Sequence, residues 1–214
     1  MPRTARLVVP GIPHHVTQRG NRRQQTFFSD RDYALYLRLL RFWCDKAGTI
    51  VWAWCLMPNH VHLVLVPARA DGLAAALAPV HRHYTWAINQ REGWRGFLWQ
   101  SRFASAPMDE AHLHACLRYV ELNPVRAGLV ERPEQWRWSS ARAHLGLAAD
   151  GITALAAAHA RIAEWRALLD GGLGEGERDA IRAGERTGRA LGGPAFVAGL
   201  SAATGRPLRP APRR

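Results

Sequence analysis

Three histidine pairs in this chain share the spacing His-x-His: His60/His62, His81/His83 and His112/His114. Two imidazoles two residues apart converge on one cation only if the backbone turns both to the same side. On a helix, positions i and i+2 point about 200° apart. The segments around His81/His83 and His112/His114 read as helical, so those pairs diverge. On a strand, i and i+2 project from one face, about 6.5–7 Å apart along the chain. His60/His62 lies in an alternating run and is the one pair that qualifies as metal ligands. Ten histidines make the spacing common by chance, and the plainer reading is two polar residues on a solvated sheet face. Against it, Val64 and Val66 continue that face, so the histidines sit at the rim of an apolar surface that another element must cover.

The covering element is expected to be a helix carrying Tyr119 and Asn123. At i and i+4 these share one helix face, roughly 6 Å apart. An Asn carbonyl oxygen suits a hard divalent ion as third ligand. A Tyr hydroxyl can attack phosphorus once the phosphate is polarised. Both residues also read in plainer ways: Tyr119 as a packed aromatic with its hydroxyl satisfied, Asn123 as a cap before Pro124. Tyr33 and Tyr36 belong to an amphipathic first helix, and Tyr84 has only His81 as a ligand-type neighbour, so they are poorer nucleophile candidates.

The elements that must position these groups are legible in outline. Residues 12–17 read as a short strand with His14 and His15 on opposite faces, followed by a polar, basic turn from Gln18 to Arg23. Ser29 and Asp32 have capping-box spacing, Tyr33, Leu37, Leu40 and Trp43 follow at helical intervals, and Gly48 ends the helix. Residues 50–57 read as a strand buried on both faces, Pro58-Asn59 as a turn, and residues 60–66 as the second strand of an antiparallel hairpin. Residues 72–90 are helical, with Pro79 expected to kink or split them. Residues 97–105 are expected to form another strand, and Asp109 to cap a third helix reaching about Asn123. Residues 133–145 are a Trp- and Arg-rich connector. The order strand, helix, strand, strand, helix, strand, helix predicts an α+β fold, a ferredoxin-like antiparallel sheet with helices. After Gly146 the composition changes: 151–170 are Ala-rich and helical, Gly171 to Gly176 form a flexible break, and 186–214 hold six arginines and no acid. We therefore expect two domains, 1–146 and a helical, basic C-terminal extension over 147–214.

Charge points to the partner. The 214 residues carry a net +12, and Lys46 is the sole lysine among 29 basic residues. Arginine binds phosphate bidentately and stacks on flat rings, so a polyanion, nucleic acid first, is the expected partner. An arginine-rich genome with solvated faces is the plainer reading. Arg19, Arg22, Arg23 and Arg102 are candidates for phosphate contacts, and Trp99, Trp136 and Trp138 for base stacking, although each Trp also reads as core. Lysine-based Schiff chemistry is nearly excluded, and no Walker loop is present. Cys44, Cys55 and Cys116 are odd in number and set among apolar neighbours, which argues against disulfides or a thiolate zinc site. The longest apolar run, residues 50–57, is far short of the roughly 20 residues of a membrane span, and no secretory signal is visible. A cytoplasmic protein without membrane contact is expected.

Several runs resemble a known family. Met57-Pro58-Asn59-His60-Val61-His62-Leu63-Val64-Leu65 resembles the HUH motif (His, bulky hydrophobe, His) of single-tyrosine transposases. Arg118-Tyr119-Val120-Glu121-Leu122-Asn123-Pro124-Val125-Arg126-Ala127-Gly128 resembles the tyrosine helix of the REP-associated tyrosine transposases. Thr17 to Asn21 with Phe27-Phe28, Leu98-Trp99 to Arg102-Phe103, and Trp138-Ser139-Ser140 follow in the family's order, so the resemblance covers residues about 8–146. It implies an HUH endonuclease fold, a divalent cofactor (Mg²⁺ or Mn²⁺), His60, His62 and Asn123 as metal ligands and Tyr119 as nucleophile. It further implies single-stranded DNA beside a hairpin as substrate, cut and rejoined through a 5′-phosphotyrosine at a bacterial nucleoid. A catalytically silent palindrome-binding protein and a replication-initiator-type HUH nuclease remain alternatives, and monomer and homodimer are both open.

Overall fold

Residues 49–57 and 60–67 are rich in β-branched and aromatic side chains and are interrupted only by Pro58-Asn59, a sequence that cannot continue a ladder. In the computed structural model, which describes residues 6–208, they form the hairpin of β2 (Thr49–Met57) and β3 (His60–Pro67). A first strand, β1 (His14–Arg19), pairs antiparallel with β3, and β4 (Ala104–Pro107) pairs antiparallel with β1. The sheet order is β2-β3-β1-β4. Helix α1 (Asp30–Ala47) joins β1 to β2, and α2 (Gly72–Glu92) joins β3 to β4. This is the ferredoxin-like α+β arrangement expected from the sequence.

Strand alternation gives the sheet two faces. On one, Val16, Leu56, Val61, Leu63 and Leu65 pack with Tyr36 and Leu40 of α1 and Leu73, Leu77 and Tyr84 of α2. On the other, Ala53, Cys55, Val64 and Ala106 pack with Leu113, Cys116, Leu117 and Val120 of α3 (Glu110–Glu121). The capping box at the start of α1 forms as expected, with the Asp32 carboxylate accepting from the Phe28 and Ser29 backbone N–H groups at 2.8 and 3.0 Å. Gly48, at φ +62°, closes that helix.

Two expectations need correction. α2 runs unbroken through Pro79. The strand expected over 97–105 is confined to Ala104–Pro107, because Gln100 and Ser101 are drawn onto β1 irregularly: the Gln100 N–H donates to Arg19 O and the Gln18 side chain to Ser101 O. The segment after Gly146 also contributes to the core. Among its helices, α6 (Leu155–His159), α7 (Trp165–Asp170) and α8 (Glu175–Thr187), Ala158, Trp165, Leu169 and Ile181 complete the core on the α3 face, with Leu191 beyond them. Apolar residues diluted by alanine, glycine and arginine hid that contribution. α9 (Pro194–Thr204) follows.

The third helix stops at Glu121, and α4 (Asn123–Arg126) begins at once because Pro124 withholds an N–H. Glu121 itself is fully buried. Its carboxylate accepts from Ser140 Oγ at 2.5 Å and Trp165 Nε1 at 2.8 Å, and pairs with His144 Nδ1 at 2.5 Å. One side chain thus ties α3 to α5 (Ala141–His144) and to α7. The three cysteines are free and buried. Among the described residues no helix is long and apolar enough to cross a membrane.

Candidate active site

His60 and His62 leave β3 on the α3 side, as alternation requires, with ring centroids 4.8 Å apart. The His60 Nδ1 pairs with Asn59 Oδ1 at 2.6 Å, which orients that ring. His62 is buried. Its Nδ1 lies 3.1 Å from His15 Nε2, and its Nε2 is buried without a partner. His15 comes from β1, one step along the ladder from Thr17, which pairs with His62; its ring stacks on that of His62 at 5.3 Å. Tyr119 approaches from α3, edge-on to His62 at 5.4 Å and to His15 at 5.9 Å. The geometry therefore unites three residues singled out from sequence with one, His15, whose place depended on a strand register that no local pattern reveals.

A cleft of about 670 Å³ opens over this group and is bordered by His60, Tyr119, Asn123 and the arginines Arg19, Arg23, Arg126, Arg182 and Arg186. Gly20 makes the basic turn beside it possible, since a Cβ there would meet the Gln24 carbonyl oxygen at 2.2 Å. The Arg126 guanidinium lies 4.2 Å from the Tyr119 ring centroid and donates to the Tyr119 carbonyl at 3.2 Å. From α8, Glu185 reaches the same place: its Oε1 is 3.6 Å from His62 Nδ1 and 3.9 Å from His15 Nε2. Glu185 and Arg182 were not foreseen, because nothing in a Gly- and Arg-rich tail signals return to the sheet.

Burial sets the charge states. It holds His60 and His15 down to about 3, with Arg19 and Arg126 adding to the effect on His60, and it holds His62 well below the ordinary imidazole range. All three rings are thus neutral near pH 7, with lone pairs available to a cation. Burial and the nearby Glu185 push the Tyr119 phenol up, while Arg126 and Arg182 act against them. The donor set fits a divalent ion: His62 Nε2 is an orphaned buried nitrogen beside the His60 ring, and Asn123 borders the same cleft.

The remaining candidates divide. Arg19 and Arg23 border the cleft; Arg22 is exposed at φ +51° in the adjoining turn. Arg102 borders a neighbouring cleft of about 740 Å³ that shares Ser101, Glu185 and Arg186 with the first. Trp99 and Trp138 are corrected: both rings are buried in the α1/α2 core, Trp138 stacked on Tyr33 at 4.7 Å, so neither offers a free face to a base. Trp136 is half-buried, its indole N–H donating to Leu56 O at 3.1 Å. Among the described residues the exposed large aromatics are instead Phe28, Phe42, Trp86, Trp94 and Phe97.

The family profile described as "Transposase IS200 like" matches residues 8–123, more than half of the chain. The chain belongs to the IS200-like transposase family. The matched span holds His15, His60, His62, Tyr119 and Asn123 and leaves out Arg126, Arg182 and Glu185. It is similar to a protein of Haemophilus influenzae provisionally named a REP-associated tyrosine transposase, 29% identical over 99 residues, covering 41% of this chain and 56% of that one. It is also similar to the REP-associated tyrosine transposase of Escherichia coli K12, 22% identical over 89 residues, covering 41% and 52%. The matched region thus spans about half the length of these curated relatives. A solved REP-associated tyrosine transposase bound to a REP hairpin superposes with a TM-score of 0.58 at 20% identity, covering 72% of this chain and 90% of that one. That likeness shows the fold.

Proposed function

We propose that this transposase nicks and rejoins single-stranded DNA beside a palindromic hairpin, with Tyr119 as the nucleophile. The observation that carries the reading is the meeting of Tyr119 with the His60/His62 pair in one arginine-lined cleft. His60, His62 and Asn123 would hold Mg²⁺ or Mn²⁺, which when bound supplies charge neutralisation at the scissile phosphate. Arg19, Arg23 and Arg186 hold the flanking backbone. Arg126 and Arg182 favour the phenolate, whose oxygen attacks phosphorus in line. The phenol proton passes to water, the P–O3′ bond breaks as the Tyr119 O–P bond of a 5′-phosphotyrosine forms, and O3′ leaves as a hydroxyl by taking a proton from water. Return of a 3′-hydroxyl reverses the step, so no nucleotide hydrolysis is required. The substrate class and the nucleoid location follow from the same reading.

The test is incubation of the full chain with an end-labelled single strand carrying a hairpin, with Mn²⁺, resolved on a denaturing gel. A slow-moving covalent band is expected for the natural chain and none for Tyr119→Phe, while hairpin affinity stays within about threefold. Undiminished cleavage by Tyr119→Phe would overturn the assignment. Purely binding activity is the second reading, favoured by the burial of the Tyr119 phenol near Glu185, which disfavours its phenolate. Tight hairpin binding with no covalent band in either metal would select it.

A further inference from the structure

We propose that His15, His62 and Glu185 form a second, distinct metal site, one for a borderline transition-metal ion of the Zn²⁺ class. The three facing atoms, His15 Nε2, His62 Nδ1 and Glu185 Oε1, are separated by 3.1, 3.6 and 3.9 Å. Atoms so spaced lie on a circle of radius about 2.1 Å, and Zn–N and Zn–O bonds are about 2.0–2.2 Å long. An ion slightly out of the plane of these atoms, as a tetrahedral centre sits, therefore lies about 2.2 Å from all three donors without movement of any element. Among the described residues this is the one trio of His, Cys, Asp or Glu donors so closely grouped.

The chemistry agrees with the spacing. Glu185 Oε1 is buried and has no hydrogen-bond partner, an arrangement that costs free energy unless a cation or donor satisfies it. Two imidazoles and one carboxylate with an open fourth position suit tetrahedral Zn²⁺ rather than octahedral Mg²⁺. Tyr119 lies edge-on to both rings, 5.9 and 5.4 Å away between centroids. The site differs from the proposed catalytic one in using Nδ1 of His62 instead of Nε2, and in excluding His60 and Asn123; a neutral imidazole ligates through one nitrogen, so the two sites are alternatives and not filled together. It spans β1, β3 and α8, so an ion there pins α8 to the sheet.

The experiment is a titration of the metal-stripped full chain with Co²⁺, followed by visible absorption and by displacement with Zn²⁺. The expected result is one Co²⁺ per chain with the intense d–d bands of a four-coordinate site, lost on adding Zn²⁺. His15→Gln and Glu185→Gln, checked for fold by circular dichroism, each weaken binding by more than the ~10–100-fold that loss of a merely supporting group gives. His60→Ala and Asn123→Ala leave it unchanged. Absence of the bands in the natural chain overturns the proposal. So does their survival in both Gln variants, or their loss in His60→Ala, which would place the ion at the catalytic pair. The nuclease reading fails separately, through the covalent-attachment assay.

Discussion

Tyr119 sits between opposing influences, and their balance decides the pH at which it can react. Burial and Glu185 disfavour the phenolate, while the Arg126 guanidinium over its ring favours it. Removing that cation should raise the phenol further. Arg126→Gln should therefore slow covalent attachment by about a hundredfold and move the rising limb of its pH–rate profile to higher pH, with hairpin affinity changing only by the loss of one phosphate contact. Single-turnover gels across pH 6–10 check this, and an unmoved profile would remove Arg126 from the chemistry. His60→Ala should abolish Mn²⁺-supported attachment while leaving circular dichroism unchanged, since the ring stands at the edge of β3 and not in the core. The approach of His60, His62 and Tyr119 to one another follows from strand and helix periodicity, which decides which residues share a face; Asn123 reaches the same cleft from α4, beyond the end of α3. His15 was not legible, because its meeting with His62 depends on the β1–β3 register. Trp99 and Trp138 misled because an indole suits a base and a core equally well.

The elements hold this group still through two buried carboxylates. Glu121 anchors α3 to Ser140, His144 and Trp165. Glu121→Ala should destabilise the protein by about 3–5 kcal/mol by leaving those partners buried and unpaired. It should also lower attachment activity below the melting temperature, since Tyr119 is two residues away; chemical denaturation together with the gel assay tests both effects. Asp32 anchors the start of α1. Burial raises its pKa, but the Arg91 ion pair and the Phe28 and Ser29 N–H groups outweigh that, so it is held below the ordinary value. A carboxyl depressed in the folded state stabilises above its unfolded pKa of about 3.9, and that stability is lost as pH falls through the folded value. Asp32→Asn should cost about 2 kcal/mol at pH 7, and the difference from the natural chain should shrink toward pH 2 in thermal melts. The capping box was readable because its signature is local. The Glu121 network was not, since its members lie 19, 23 and 44 residues away in sequence.

Over the whole molecule, the net charge of +12 is not spread evenly. Five arginines, Arg19, Arg23, Arg126, Arg182 and Arg186, gather around one cleft, and two of them come from α8. The arrival of α8 at this cleft was not legible in the sequence, because packing across Gly146 is carried by single apolar residues in a helix of mostly polar composition. Of the six arginines of the basic tail, Arg209, Arg213 and Arg214 lie outside the described residues. The cleft arginines alone make a quantitative forecast. If each neutralises one phosphate of a single strand, log K should fall with log salt at a slope of about −0.7 per contact, or about −3.5 in all. Double substitution of Arg182 and Arg186 to Gln should reduce the magnitude of that slope by about 1.4. Fluorescence anisotropy with an unstructured labelled strand between 50 and 300 mM salt measures both. An unchanged slope in the double variant would mean that α8 borders the cleft without touching the nucleic acid, and that the strand runs along β1 and the Arg22–Arg23 turn alone.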